Sequence, residues 1–403
     1  DEVIEGHGLV MTPGLVNTHH HLYQTLFRAV PGAQDAELFD WLVFLYERWR
    51  GIHEEAVHVS TVVGCLELLL SGCTTTTDHL YLFPRGRRNL IDVEIDAVGE
   101  VGIRFQPTRG SMSLSRQDGG LPPEDVVESH DEIIADSERL VERYHDARFG
   151  AMVRMALAPC SPFSVTPELM RDTAALAREH GVPLHTHLAE TKDEEEFCLE
   201  RFGRRPLEYL EELGWLAADV WLAHLVHITP ADIRKLASAD VGMAHCPSSN
   251  MILGSGIAPV AACLEAGMRV GLGVDGSASN DTSNMIREAR QAMLLARVHG
   301  GARAMSGRTA LRLATLGGAQ VMGRQEEIGS LEPGKCADLV LWDTRGVEFA
   351  GTADPVAGLL HCAAQHADVV MVDGELIVRR GQLVDARLQD YIPRHREIAA
   401  QLT

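Results

Sequence analysis

The sequence is short of lysine. Its 403 residues contain three, Lys192, Lys235 and Lys335, and none lies in any of the eight barrel-strand candidates given below. That excludes a pyridoxal Schiff base, and no G-x-x-x-x-G-K-[ST] cradle for nucleotide phosphates is present. Basic residues as a whole are scarce: 36 Lys and Arg stand against 57 Asp and Glu, a formal net charge of −21. So negative a chain repels phosphate backbones and anionic lipid, and no basic patch offsets it, which excludes nucleic-acid and membrane partners. No apolar run approaches the ~20 residues that cross a bilayer. The stretch Val62–Leu70 is already broken by Glu67. A positive segment followed by an apolar one is missing at the start, so no secretory signal is expected. None of the eight cysteines forms a C-x-x-C pair, and most sit in apolar runs. They read as reduced, buried thiols, which points to a cytoplasmic protein. The zinc deaminase signature H-x-E with P-C-x-x-C is also missing, since Pro159-Cys160 is followed by Ser-Pro-Phe.

What is present is the composition of a globular enzyme: 45% hydrophobic residues and 23% charged, with mean hydropathy near zero. From residue 14 to about 275, short apolar runs alternate with longer amphipathic stretches, the pattern of parallel βα units. The strand candidates are Gly14–Thr18, Cys73–Asp78, Ile103–Thr108, Val153–Ala158, Pro183–Leu188, Val220–Leu225, Val241–Cys246 and Arg269–Val274. Eight units close into a (β/α)8 TIM barrel, here spanning residues 13–324. Beyond Arg324 the pattern becomes short strands and turns, with Asp373-Gly374 as a hairpin signal. Because Val3–Met11 is also strand-like, the expected second domain is a small β-sandwich built from both chain ends, residues 1–12 and 325–403.

The chemistry concentrates at strand ends. In Pro13-Gly-Leu-Val-Asn-Thr-His19-His20-His21, residues two apart share a face, so His19 and His21 point together into the barrel mouth and His20 points away. His185-Thr-His187 closes the fifth strand and leads to Glu190; one of the two imidazoles suffices for a metal, with the carboxylate left for proton transfer. His224 and His227 close the sixth. The eighth ends in Gly271-Leu-Gly273-Val-Asp275-Gly276, which matches G-x-G-x-x-G but opens a polar loop where a dinucleotide fingerprint opens a helix. Asp275 reads instead as a metal or water ligand. Three histidines and a carboxylate suit one zinc ion with room for water, and with no lysine on the fourth strand a carbamate-bridged pair of metals has no bridge. Substrate contacts are expected from Gln24, one helical step past the ligand pair, and from Arg109 and Ser111, after the third strand. The acidic run Asp193–Glu196 reads as a solvated helix start. The apolar face Phe39–Tyr46 exceeds what one amphipathic stripe needs, so a homo-oligomer is expected.

PGLVNTHHH, LHTHLAET, WLAHLVH and GLGVDGSASND, in this order, with PGKCADLVLWD later, resemble the amidohydrolase superfamily in its aminohydrolase branch of purine, pterin and s-triazine deaminases. The likeness spans nearly the whole chain. The segments around Gln24, RGSMSLSRQDGGLPP and CPSSNM look most like the 8-oxoguanine deaminases, with s-triazine hydrolases next. Family members usually carry several strands before PGLVN, where this sequence has only a short segment. The resemblance implies His19, His21, His187 and Asp275 as ligands of one zinc, Glu190 as proton shuttle and His224 beside the attacking oxygen, with no such role for His20, His185 or His227. It implies hydrolytic deamination of an amino-substituted purine-like heterocycle, 8-oxoguanine first. Guanine and isoxanthopterin deamination, an s-triazine amino- or chlorohydrolase and a non-catalytic scaffold of the same fold are the alternatives.

Overall fold

The computed structural model describes residues 3–362 and 364–403. Strands β2 (Leu15–Asn17), β3 (Cys73–Leu80), β4 (Arg104–Ser111), β5 (Ala156–Pro159), β6 (Leu184–Leu188), β7 (Val220–His224), β8 (Gly242–His245) and β9 (Arg269–Leu272) pair in parallel and close through β2 and β9 into an eight-stranded barrel. All eight sequence runs are therefore barrel strands, with ends shifted by a few residues. Their helices start and stop as the residues dictate. Thr166 caps Pro167–His180 by accepting the Leu169 N–H, and Gly181 ends it in a left-handed conformation.

Both chain ends meet in one antiparallel sheet. Its strands are β1 (Leu9–Pro13), β10 (Leu339–Asp343), β11 (Val369–Val372), β12 (Glu375–Arg379) and β13 (Gln382–Leu383), in that spatial order. β1 pairs with β10 from Leu9 opposite Asp343 to Pro13 opposite Leu339. Asp373 and Gly374, at φ 50° and 85°, turn the β11–β12 hairpin. The expectation of a sheet from both ends holds; among the described residues it is a single five-stranded layer.

The sheet is joined to the barrel through buried charge. Arg104, at the start of β4 and fully buried, donates to both Asp338 oxygens at 2.9 Å, and Asp338 also accepts the Asp373 N–H. Gly14 links β1 to β2, where a Cβ would fall 1.9 Å from Thr74 Oγ1. The last helix, Tyr391–Leu402, returns to the barrel and packs on Glu54–Leu70, with Arg394 paired to Glu55. No helix among the described residues is long and apolar enough to cross a membrane.

Candidate metal centre and active site

The C-terminal strand ends bring the predicted histidines together. His21 Nε2 lies 3.1 Å from His187 Nε2 and 3.3 Å from Asp275 Oδ1, and His19 Nε2 lies 3.3 Å from that same oxygen. Ligand atoms held about 2.1 Å from a tetrahedral ion are roughly 3.4 Å apart, so this spacing fits one divalent metal. The opposite ring nitrogens are already committed. His21 Nδ1 donates to the His79 carbonyl at 2.8 Å and His187 Nδ1 to the Cys160 carbonyl at 2.7 Å. His19 Nδ1 meets His185 Nε2 at 2.8 Å, and His185 Nδ1 in turn meets the Trp221 carbonyl at 2.8 Å. With Nδ1 carrying the proton, each ligand ring presents an Nε2 lone pair to the centre. His19 Nε2 is buried without a hydrogen bond, and lone pairs converging at 3.1 Å need a cation between them.

Electrostatics favour the neutral ring at His19 and His187. Burial holds His187 down to about 3 and His19 well below the usual imidazole range. Burial also pulls on His21, but the hydrogen bond and charge of Asp275 outweigh it and raise that imidazole. Burial would raise Asp275, yet His19 and His21 hold it far below the carboxylate range. Beside this cluster, Glu190 Oε2 lies 3.6 Å from His224 Nε2, and His224 Nε2 lies 3.9 Å from Asp275 Oδ2. Asn250 Oδ1 fixes His224 Nδ1 at 2.9 Å. Burial, then the charge of Asp275, pushes Glu190 up to about 8.

Backbone strain clusters at the same rim. Ala189, His224, Leu225 and Asp275 all have left-handed φ, between 49° and 71°, which a residue with a Cβ keeps only under strong local constraint. The glycines of the G-x-G-x-x-G match serve close approach: a Cβ on Gly273 would fall 2.6 Å from His19 Cβ, and one on Gly276 would fall 1.8 Å from Gln24 Oε1. No phosphate cradle is involved.

A small cavity opens onto this centre. Gln24, Tyr81, Glu190, His224, Asp275 and Ser279 supply polar groups; Leu38, Trp41, Leu42, Tyr46, Phe163 and Leu253 supply apolar walls. Four of those walls belong to the helix Leu38–Trp49, so much of the surplus apolar surface that suggested an oligomer faces the cavity.

Two predicted substrate residues are not brought there. Arg109 is buried on the helix-facing side of β4, its Nε on Asp136 at 2.8 Å and its Nη2 on both Glu128 oxygens at 2.9 Å. Ser111, two residues on and so on the same face, is buried and does not line the cavity. His20 turns away, as expected, to Ser283 at 2.9 Å. In the acidic run, Glu194 is not solvated: it is buried, with its oxygens on the N–H groups of Ala189 and Glu190.

Sequence reasoning also missed His79. It occupies β3 near its C-terminal end, stacked on His187 with ring centroids 4.8 Å apart. The signal was there, a histidine directly after the strand candidate Cys73–Asp78, near a strand end as His187 and His224 are.

An eight-stranded barrel with histidines and an aspartate gathered at its C-terminal strand ends defines a class, and the comparisons agree. The sequence profile of the amidohydrolase family matches residues 10–377, and this chain belongs to that family. It is 53% identical over 393 residues to the 8-oxoguanine deaminase of Pseudomonas aeruginosa, covering 98% of this chain and 87% of that protein. It is 38% identical to a hydroxydechloroatrazine ethylaminohydrolase of a Pseudomonas species, covering 94% of this chain and 80% of that one. Among solved structures, the zinc complex of atrazine chlorohydrolase from Arthrobacter aurescens superimposes with a TM-score of 0.94 at 34% identity, covering 97% of this chain and 88% of that one. The homologues are deaminases and hydrolases, and this protein is a hydrolase of the same kind.

Proposed function

We propose that the protein is a zinc-dependent aminohydrolase that converts 8-oxoguanine to urate and ammonia. His19, His21, His187 and Asp275 would hold the ion. Bound there, zinc lowers the pKa of water from 15.7 to about 7 and so supplies hydroxide at neutral pH. Asp275 accepts the proton that the attacking water gives up. His224, its Nδ1 engaged by Asn250, offers Nε2 as acceptor and orients the water. Glu190, raised to about 8, keeps its proton at neutral pH and delivers it to the ring nitrogen beside the amino-bearing carbon. That carbon becomes electrophilic, the C–O bond forms, the departing nitrogen takes the proton held by Asp275 and leaves as ammonia as the C–N bond breaks, and the remaining hydroxyl proton returns to Glu190 as the carbonyl forms. The flat apolar walls of Trp41, Leu42 and Phe163 suit a planar heterocycle, and Gln24 offers a donor and an acceptor to its edge.

The observation that favours 8-oxoguanine is the 53% identity to a deaminase of that purine along almost the full chain. A second reading, an s-triazine amino- or chlorohydrolase, draws on the 38% relative and the chlorohydrolase structure. Initial rates on 8-oxoguanine, guanine, isoxanthopterin, cytosine and hydroxyatrazine decide. The expected result is the highest kcat/KM on 8-oxoguanine with one ammonia released; preferential chloride or alkylamine release from triazines overturns it. We also place the enzyme in the cytoplasm, in keeping with eight unpaired cysteines, as a homo-oligomer. A monomeric mass by light scattering overturns that assembly.

A further inference from the structure

We propose that Glu194 is a positioning residue for Glu190, clamping the turn that aims its carboxyl into the cavity. This rests on the proton role given to Glu190 above. β6 ends at Leu188 and the chain reverses through Ala189, whose φ of 53° persists only if its surroundings over-determine it. They do so from two sides. Glu194 Oε1 accepts the Ala189 N–H at 2.9 Å, and Oε2 accepts the Glu190 N–H at 2.8 Å. On the other side, the Ala189 carbonyl accepts the N–H groups of Val226 at 2.9 Å and His227 at 2.8 Å, while the Leu188 carbonyl accepts that of Leu225.

Those three donors follow His224, whose own φ is 71° and whose Nε2 faces Glu190 at 3.6 Å. The Ala189 peptide therefore ties the Glu190 turn to the His224 turn, and Glu194 holds the half that the loop after β7 does not reach. A glutamate near the start of a helix ordinarily faces water, as the exposed Glu196 of the same acidic run does. Glu194 is fully buried and does not line the cavity. A carboxyl is tolerated in such a place only when its oxygens are paired, and the pairing found is with the two amides flanking the shuttle's backbone.

The test uses zinc-loaded enzyme and whichever panel heterocycle it turns over fastest. Glu194→Gln keeps shape and one acceptor; Glu194→Met keeps length and removes both. Expected are native-like circular dichroism and metal content, KM within about twofold, and kcat lowered about 10- to 100-fold in the Gln variant and further in the Met variant, the order of loss that small misplacements cause. Hydrogen exchange at the Ala189 and Glu190 amides should accelerate. The groups facing Glu190 are His224, Asp275, His21, Ser255 and Glu194 itself. Removing the Glu194 charge therefore shifts the alkaline limb of kcat to lower pH, whereas a loss of folded protein leaves the limb in place. Should the Met variant not fold, the Gln variant decides. Folded, loaded Glu194→Gln with kcat within twofold of wild type and an unmoved limb overturns the inference. Glu190→Gln in the same assay separates the two failures: if it stays active the shuttle reading fails, and if it is inactive beside a fully active Glu194→Gln, only the clamp fails.

Discussion

At the scale of single residues, two carboxyls that both face His224 Nε2 are driven in opposite directions by their neighbours. Asp275 touches two imidazoles and stays ionised; Glu190 has burial and the Asp275 charge against it and keeps its proton. Such divergence is what the roles proposed above, ligand for Asp275 and proton donor for Glu190, require. Removing each should hurt differently. His21→Ala should lower bound zinc and activity together, whereas Glu190→Gln should retain zinc and the native thermal midpoint while losing roughly 10²–10⁴-fold in kcat, the range general acid–base catalysis supplies. Metal analysis beside steady-state kinetics checks both, and a Glu190→Gln enzyme that loses its metal would make that carboxylate a ligand. Gln24 is buried at the cavity wall with Oε1 unpaired. A ring edge that pairs with it gains a hydrogen bond worth about 1 kcal/mol or more, so Gln24→Ala should lower kcat/KM for the purine about tenfold with metal content unchanged. An unchanged kcat/KM removes Gln24 from recognition.

At the scale of elements, the barrel and the small sheet are held in register by a charge that neither supplies alone. Arg104 enters from β4, Asp338 from the approach to β10, and the β11–β12 turn adds the Asp373 amide. Arg104→Met leaves Asp338 buried without its partner, which should cost about 3–5 kcal/mol. Urea unfolding should show that loss, while kcat per folded molecule stays native; an unmoved midpoint would mean that water replaces the guanidinium. The same strand shows where sequence reading stops. The eight barrel strands were legible because each is a short apolar or β-branched run between helical patterns, and His19, His21, His187, His224 and Asp275 were legible because they close such runs. Arg109 was misread because its run ends a few residues later than drawn, so that it and Ser111 fall on the outward side of β4, facing Asp136. Glu194 looked like one of a run of solvated acids because nothing local records that Ala189 has two directions to be tied in. These depend on distances between elements, which spacing along the chain does not contain.

At the scale of the whole molecule, a chain of net charge −21 encloses a barrel full of groups that resist their ordinary ionisation. Burial holds His245 down to about 3 and His395 to about 4. Burial likewise lifts Asp78 to about 6 and Glu288 to about 7. The two sets act on stability with opposite sign. An unfolded histidine titrates near 6.5, so the buried ones contribute stability above that pH which is lost as pH falls toward their folded values. An unfolded carboxyl titrates near 4, so the raised ones contribute stability that is full below that pH and is lost as pH rises through 6 to 7. Between about 4 and 6.5 the sets oppose each other; above 6.5 the carboxyls act alone. Glu288 isolates the second term, because it lies outside the metal donors, accepting from the Ser248 amide and hydroxyl and from Asn280. Glu288→Gln removes its titration while keeping its size. The stability advantage of wild type over this variant should therefore shrink between pH 5 and 8, with a slope approaching 1.4 kcal/mol per pH unit below about pH 7 and flattening above it. Chemical denaturation at pH 5, 6, 7 and 8 gives that difference directly. An advantage that stays constant or grows with pH would show that Glu288 is ionised throughout and that its hydrogen bonds outweigh its burial.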